Sequence, residues 1–530
     1  MVFSCSLGTE TDFFAGYRAC KCLEGFYRTH MFEKCFKCGH GLECQNDYAS
    51  LKPGYWWDWQ NDSHIDRYKE FIKNLQLSRP ALDNSSVQIP YPLPTPFKCP
   101  VEGSCMGGLN SQCKKGYEGP LCAVCSPGYY KQLQICKKCP TKKLMIAQLT
   151  IIGAILLIIA SIVVWTSRRK KKKIQESSPM DIFLSKLKIV IGFYQVTYGL
   201  LEAFSYIKWP GSLQVIGKYS EILQMNVLQV APIDCLYPGL SVDAFGNLYA
   251  TMAINAALIC VSGAIYVFRR VVIYRNPLVE ENEKAYKLSE AKKAIYRNLF
   301  FLLYVTYLST CTKTANVMPL TCREICRDEK ETGCDSFLKG DYSIQCHVTK
   351  YDKMLIVAYI STAYVFVLPV ASFLVLWRHK RKIIQTESAE EENSGMEIIT
   401  GLRFLFENYN PRTWFWELIE MSRKVILTSG LILVGQESRS YVGLAWVMAG
   451  MYGMLFSWNR PIQDKTENRM MATSLAVTVV NLGIGAVSRI PAENLPPGST
   501  DAYVEDVLFK ILVLGANTLV IGQVAGKIRS

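Results

Sequence analysis

The chain has 530 residues, of which half are hydrophobic and a fifth are charged, and its formal net charge is +14. This balance is too apolar for an average soluble globular protein, and we expect a membrane protein. Because the clustered Lys and Arg lie beside apolar stretches, we interpret them as topology signals and contacts for anionic lipid, and we assign no nucleic-acid partner.

The first predicted domain, residues 1–143, is cysteine-rich: thirteen of the twenty cysteines fall in the first 139 residues. In an exported segment such close spacing predicts a disulfide framework, whereas in a cytosolic chain the Cys-x-x-Cys pairs would favour zinc. The domain has no helical or strand periodicity long enough to bury a core. We therefore expect crosslinks to replace that core.

Two stretches of this domain resemble known extracellular modules. CKCLEGFYRTHMFEKCFKCGHGLEC, from Cys20, resembles the ephrin-receptor-like repeat, and CKKGYEGPLCAVCSPGYYKQLQICKKC, from Cys113, resembles a laminin-type EGF module. The insert between them, residues 45–97, holds the two N-glycosylation sequons of the chain, at Asn61 and Asn84. No signal peptide precedes Cys5, so we expect the extracellular part to continue upstream of Met1.

An uncharged apolar stretch at 144–166 is long enough to cross a bilayer. Six consecutive cations follow at 168–173, and basic flanks of this kind stay in the cytoplasm. This arrangement predicts that residues 1–143 lie outside the cell and that residues 144–530 form the membrane domain.

Eight further apolar stretches complete the predicted membrane domain, for which the fold class is an all-α polytopic bundle of about nine transmembrane helices beside a small disulfide-rich extracellular domain. Extracellular disulfide loops are expected near 205–246 and 316–353, and nine crossings put the C-terminus in the cytoplasm. The predicted spans are 144–166, 182–204, 248–268, 299–315, 354–377, 414–434, 441–458, 471–488 and 507–524.

Cysteine placement supports this sidedness. Eighteen cysteines lie on predicted external segments, an even number that permits complete pairing, while Cys260 and Cys311 lie inside spans. The predicted disulfide cysteines are Cys5, Cys20, Cys22, Cys35, Cys38, Cys44, Cys99, Cys105, Cys113, Cys122, Cys125, Cys136, Cys139, Cys235, Cys322, Cys326, Cys334 and Cys346.

The sixth predicted span carries a group of charges in its first half. Glu420 can reach Arg423 and Lys424 at helical spacings of three and four. Ionisable residues within a membrane span are costly and mark an ion path, a relay or a gate. The alternative is that 414–424 is an interfacial amphipathic turn and only 425–434 lies deep in lipid.

Amides within later spans are further candidates for a hydrated path, although each could instead form an interhelical hydrogen bond worth about 0.5–2 kcal/mol. The predicted ion-path or gate residues are Glu417, Glu420, Arg423, Lys424, Asn481 and Asn517. For catalysis there is no HExxH, GxSxG, P-loop or Rossmann motif. We expect no enzyme, no cofactor and no metal site.

Three segments of the membrane domain, FLKGDYSIQC, FLFENYNPRTWFWELIEMSRKVIL and SWNRPIQDKTENRM, resemble a group of eukaryotic multi-pass surface proteins. Members of this group carry cysteine-rich or EGF-like ectodomains on a TRP-like, receptor-related membrane region. The resemblance covers most of residues 100–530 and implies a cation channel or sensor in the plasma membrane or in a ciliary, flagellar or other surface membrane.

Three functions remain open. The first is a cell-surface TRP-like channel or a mechanosensory or ligand-sensing subunit, in which the ectodomain acts on the helical bundle. The second is a non-conducting receptor or adhesion anchor, and the third is an anoctamin-like lipid-moving protein. The expected partners are membrane lipids and an extracellular protein or upstream ectodomain, and a homo-oligomer is left open.

Overall fold

A computed structural model of the chain describes residues 9–11, 20–77, 87–151, 154, 179–223, 235, 242–275, 281–327, 333–381, 399, 401–434 and 439–487, with gaps at 102, 133–134, 205–206 and 208. The chain divides into two compact units. We call Met1–Cys139 with Cys322–Asp352 the cysteine-rich unit, and Pro140–Thr321 with Lys353–Ser530 the helical unit. Most of the predicted span 144–166 and all of 507–524 lie outside the described residues.

Short antiparallel hairpins build most of the cysteine-rich unit. Each hairpin joins two consecutive strands, and glycines allow neighbouring hairpins to approach each other closely. At Gly107, for example, φ is +76° and an added Cβ would lie 2.6 Å from the Leu51 carbonyl oxygen, so only glycine fits. The strand pairs are β1 (Thr9–Thr11) with β2 (Cys20–Cys22), β3 (Phe26–Tyr27) with β4 (Phe36–Lys37), β5 (Leu42–Gln45) with β6 (Tyr48–Leu51), β7 (Tyr55–Trp56) with β8 (Phe97–Lys98), which lie on either side of a long insert and form no hairpin, β9 (Cys105–Gly107) with β10 (Gln112–Cys113), β11 (Tyr117–Glu118) with β12 (Val124–Cys125), and β13 (Tyr129–Gln132) with β14 (Ile135–Lys138).

Disulfides crosslink these hairpins, which confirms the prediction of a disulfide-rich N-terminal region. Cys20, Cys139 and Cys235 are also disulfide-bonded, whereas Cys5 lies outside the described residues. In the described part of the chain, Cys260 and Cys311 are free thiols. The described pairs are Cys22–Cys35, Cys38–Cys44, Cys99–Cys105, Cys113–Cys122, Cys125–Cys136, Cys322–Cys346 and Cys326–Cys334.

One helix interrupts the hairpins, and it gives the unit an apolar core that we did not predict. Helix α1 (Asp62–Leu75) buries Tyr68, Phe71, Ile72 and Leu75, which follow the i, i+3, i+4, i+7 pattern of an amphipathic helix. The Tyr68 hydroxyl donates to the Ala49 carbonyl oxygen at 2.7 Å, and burial raises the pKa of this phenol. The expectation that crosslinks alone replace a core is therefore wrong here.

A three-stranded sheet from the segment between two later helices belongs to the cysteine-rich unit. It consists of β15 (Cys322–Cys326), β16 (Cys334–Leu338) and β17 (Asp341–Gln345). The Arg327 guanidinium, just after β15, lies 2.7 Å from Asp58 and 2.7 Å from Asp335. Ile325 and Tyr342 of the sheet share a core with Leu121 and Ala123 of the N-terminal modules. The predicted loop 316–353 is thus largely a folded part of this unit.

The helical unit holds the long helices. In chain order these are α2 (Pro179–Ala203), α3 (Gly211–Leu223), α4 (Ala244–Arg275), α5 (Glu281–Val317), α6 (Thr349–Arg378, whose first turn belongs to the cysteine-rich unit), α7 (Trp416–Val425), α8 (Leu431–Val434), α9 (Arg439–Asn459) and α10 (Lys465–Val487). Within the described residues, four helices are long and apolar enough to cross a membrane: Ala244–Arg275, Thr349–Arg378, Tyr441–Asn459 and Lys465–Ala486. These indicate a membrane protein.

The predicted count of nine transmembrane helices is not supported. The span 182–204 corresponds to α2 and the span 299–315 to the second half of α5, but neither helix is among the four apolar ones. In α5 the first half is highly charged and the second half is rich in hydroxyls, which lowers its hydropathy. The sixth predicted span is not one α-helix, because a π-helix (Ile426–Gly430) separates α7 from α8.

Candidate functional site

The charge group predicted on the sixth span lies on α7, and it is buried inside the helical unit. Helical spacings of three and four place Glu417, Glu420 and Lys424 along one face. Both glutamates are only 2% exposed and Lys424 is 8% exposed. These three residues therefore face other parts of the protein.

The negative charge of Glu420 is compensated by cations of its own helix. The Arg423 guanidinium donates two hydrogen bonds to the Glu420 carboxylate, from Nε at 2.9 Å and from Nη2 at 2.6 Å. Lys424 Nζ lies 3.6 Å from the same carboxylate. The guanidinium also stacks over the ring of Tyr452 at 5.0 Å. This two-point contact is the strong form of an arginine–carboxylate pair.

The negative charge of Glu417 is compensated by side chains from other segments of the chain. Lys188 Nζ, on α2, lies 2.7 Å from Glu417 Oε2, and the Tyr409 hydroxyl donates to the same oxygen at 2.7 Å. The Tyr304 hydroxyl, on α5, donates to Glu417 Oε1. Lys424 Nζ donates to the Tyr304 hydroxyl at 3.4 Å, which connects the two carboxylates. We call these seven residues the ionic cluster: Lys188, Tyr304, Tyr409, Glu417, Glu420, Arg423 and Lys424.

A small cavity of about 30 Å³ opens beside the ionic cluster, between α2 and α10. Three cations and three carboxylates line it, since Glu467 of α10 joins the five charged residues of the cluster. The charge is therefore balanced. A water molecule needs roughly 10–15 Å³ of such space, so the cavity has room for about two waters.

A second cavity of about 10 Å³ continues the polar face of α10. Thr478 lines both cavities, and Asn481 lines only the second. With Glu467 and Ser474, these residues follow helical spacing along α10 and face α2. We call this row of small cavities the α2–α10 crevice. The structure thus brings Asn481 to the same crevice as the ionic cluster.

A glycine lets α2 approach the π-helix closely. A Cβ at Gly199 would lie 2.3 Å from Thr428 Cγ2 and 2.7 Å from its Cβ, so a larger residue requires the helices to separate. The Thr428 hydroxyl donates to the Lys424 carbonyl oxygen at 2.8 Å. π-helical turns inside α-helices are frequent at functional sites. Here the π-helix directly follows the charges of α7.

Contacts between α5 and α6 show where the ionic cluster lies along the apolar stretch of α6. The Tyr307 hydroxyl donates to the Val365 carbonyl oxygen at 3.0 Å, and the hydroxyls of Thr314 and Ser361 lie 2.6 Å apart. Between these two contacts the residue number rises along α5 and falls along α6, so the two helices are antiparallel. Tyr304 of α5 is therefore level with about residue 368 of α6. The apolar stretch 354–377 of α6 is centred near residue 365, within about one helical turn of that level.

Several residues of the site escaped prediction. The sequence does not single out Tyr304 or Tyr409, and no spacing in it connects Lys188 with the charges of α7. Buried hydroxyls of α5 also escaped notice, although the run from Thr306 to Thr314 is visibly rich in Ser and Thr. Most of them donate to the carbonyl four residues earlier, as helical Ser and Thr commonly do.

The two predicted glycosylation sites and Asn517 lie away from the ionic cluster or outside the described residues. Asn61 is exposed, immediately before α1, where a glycan has room. Asn84 and Asn517 lie outside the described residues. The roles predicted for the charge group, for Asn481 and for the sequons remain predictions.

Comparison with known proteins reaches a small part of the chain. Residues 96–139 match a family described as "Domain of unknown function (DUF7630)". This match and the disulfides fit a cysteine-rich ectodomain, and it identifies neither an EGF nor a TRP family. No curated protein and no solved structure matches the chain.

Proposed function

We propose that this protein is a cell-surface channel or mechanosensory subunit of the TRP-like kind, in which the ionic cluster is the gate of an ion path along the α2–α10 crevice. The observation that carries the proposal is that five charged side chains, each at most 11% exposed, lie near the middle of an apolar helix bundle and beside polar cavities. Charges at such a depth are costly and are kept in membrane proteins at paths, relays and gates.

The arrangement corresponds to a closed gate. Each carboxylate of the ionic cluster is held by cations, and the two cavities, of about 30 and 10 Å³, have room for about three water molecules in all. A hydrated ion does not fit. Opening therefore requires α7 to move relative to α2 or α10, which would exchange the Lys188–Glu417 contact for water.

The chain itself offers a route for a stimulus to reach this gate. It passes from α5 into the three-stranded sheet of the cysteine-rich unit and from that sheet into α6. Arg327, next to the sheet, forms an ion pair with Asp58 of the N-terminal modules. Because α5 also carries Tyr304 of the ionic cluster, a load or a ligand acting on these modules has a covalent path to the gate.

The proposal includes an orientation. Disulfides form in oxidising compartments, so we place the cysteine-rich unit outside the cell and the cationic ends of the helices in the cytoplasm. A plasma membrane or a ciliary, flagellar or other surface membrane is the proposed location. The nine crossings, and with them a cytoplasmic C-terminus, stay part of this proposal.

Electrical recording from the purified full-length protein in lipid bilayers tests the function. We expect membrane tension to evoke a small current in the wild-type protein and a larger current at rest in a Glu420→Gln variant. Neutralising Glu420 leaves the buried Arg423 and Lys424 without their carboxylate, which favours hydration of the crevice.

The matched control for this recording is Glu407→Gln, because Glu407 forms an exposed pair with Arg403 in the same unit, at 3.1 Å. This variant should behave as the wild type. Silence of the wild-type protein under tension, together with silence of Glu420→Gln, would contradict a channel.

A non-conducting receptor is the second candidate, since the small size of the cavities also suits a bundle that never conducts. It predicts the silent outcome above and retains the role of the cysteine-rich unit in binding an extracellular partner. For an anoctamin-like lipid-moving protein, a polar groove open to lipid would be required, and the ionic cluster is instead buried.

A further inference from the structure

Cations at the ends of two apolar helices are exposed in the helical unit. Arg269 and Arg270 lie near the end of α4, and Arg378, Lys380 and Arg381 lie at the end of α6. No ion pair joins any of these five to another described residue. Among the described residues, these cations are therefore available to an anion from outside the chain.

These two basic ends lie at one level of the bundle. Asn255 of α4 donates to Thr310 of α5 at 3.0 Å, and only residues 276–280 connect α4 to α5, so the helices run antiparallel. Arg270, fifteen residues beyond Asn255, is therefore level with about residue 295 of α5.

The same reasoning places the end of α6. Arg378 lies thirteen residues beyond Val365, which contacts Tyr307, so it is level with about residue 294 of α5. Two helices that flank α5 thus place their cations at the same height. Together they form a basic belt, which we define as Arg269, Arg270, Arg378, Lys380 and Arg381.

The belt borders an exposed apolar surface. Phe268 is 66% exposed immediately before the α4 cations, and Trp377 is 53% exposed immediately before those of α6. The Arg270 guanidinium lies 5.9 Å from the ring centre of Tyr274, and Lys380 Nζ lies 5.7 Å from that of Trp377. Aromatic rings beside cations, at the edge of an apolar band, are typical of the headgroup level of a bilayer.

We propose that the basic belt binds the headgroups of anionic phospholipids in one membrane leaflet. The apolar surface beside it fits acyl chains, and the cations fit phosphate and carboxylate groups at the same height around the bundle. The proposal does not depend on conduction, because it concerns the lipid-facing surface and not the crevice.

Spin-labelled lipids test the proposal with the full-length protein in phosphatidylcholine vesicles. We expect the wild-type protein to hold labelled phosphatidylglycerol in preference to labelled phosphatidylcholine. We expect the preference to fall by a factor of about ten or more in the variant with Arg269→Gln, Arg270→Gln, Arg378→Gln and Lys380→Gln. Each cation near an anionic headgroup strengthens binding by about fivefold. Arg→Lys changes at the three arginines should preserve the preference.

A control with equal loss of charge replaces exposed lysines of the cysteine-rich unit by Gln, at Lys37, Lys98, Lys114 and Lys115. It should keep the preference of the wild type. The proposal is overturned if the belt variant keeps its preference while its helix content is unchanged, or if the control loses as much. Displacement of the lipid by added inorganic phosphate would also overturn it, since the belt would then be a site for small anions.

Discussion

Replacing Glu420 by Ala is expected to lower the free energy of unfolding of the helical unit by about 3–5 kcal/mol. The change leaves the Arg423 guanidinium and the Lys424 ammonium buried without the carboxylate that now lies 2.6 Å and 3.6 Å away. Removal of one partner from a buried ion pair is far more damaging than removal of an exposed one, because the remaining charge cannot recover its hydration. Unfolding by detergent in mixed micelles, followed by circular dichroism, measures the loss.

Two further variants separate this explanation from general damage to the unit. Glu283→Ala removes an exposed pair with Lys287, 2.7 Å apart on α5, and should cost about 0.5 kcal/mol or less. Adding Arg423→Met to Glu420→Ala should restore part of the stability, since it removes the charge left without its main partner. If Glu420→Ala costs no more than Glu283→Ala, the cluster is hydrated and is not a sealed gate.

Removing the Cys322–Cys346 disulfide by changing both cysteines to Ser should destabilise the cysteine-rich unit by about 3.5 kcal/mol. The two residues are 24 positions apart, and their crosslink restricts the unfolded chain across the whole three-stranded sheet. The Cys326–Cys334 pair, 8 positions apart, closes a shorter loop and should contribute about 2.6 kcal/mol.

Limited proteolysis of the full-length protein, with mass spectrometry of the fragments, measures this effect. Cleavage between β15 and β17 should be fastest in the Cys322/Cys346 variant and intermediate in the Cys326/Cys334 variant. If both variants resist cleavage as the wild type does, the sheet is held by its contacts with the N-terminal modules, above all through Arg327 and the Ile325 side chain, and the disulfides add little.

Local patterns predicted the local part of the site. The spacing of Glu420, Arg423 and Lys424 on one helix was enough to predict their pairing, because residues three and four apart are neighbours on a helix surface. Four apolar helices and a crosslinked N-terminal region likewise followed from hydropathy and cysteine spacing.

Contacts between distant parts of the chain could not be predicted in this way. Lys188 is more than two hundred positions from Glu417, and no periodicity relates α2 to α7. The sheet at 322–345 appeared as a mere loop because its partners, such as Asp58, are remote in sequence. The π-helix has no residue signature, and it arises where tertiary packing, here against Gly199, determines the backbone. Helix α1 was detectable, since its apolar spacing is regular, and it was missed among the cysteine modules.

We propose that ions pass along the face of α10 that carries Thr478, which lines both cavities. The background protein carries Glu420→Gln, with Cys260 and Cys311 replaced by Ala. Thr478→Cys is added to it, and the current is recorded before and after addition of a charged methanethiosulfonate reagent. We predict that the reagent blocks the current through Thr478→Cys and leaves unchanged that through Val480→Cys, whose side chain lies on an exposed face of the same helix. A current that both variants keep in full after complete labelling of the cysteine at position 478 would contradict the account.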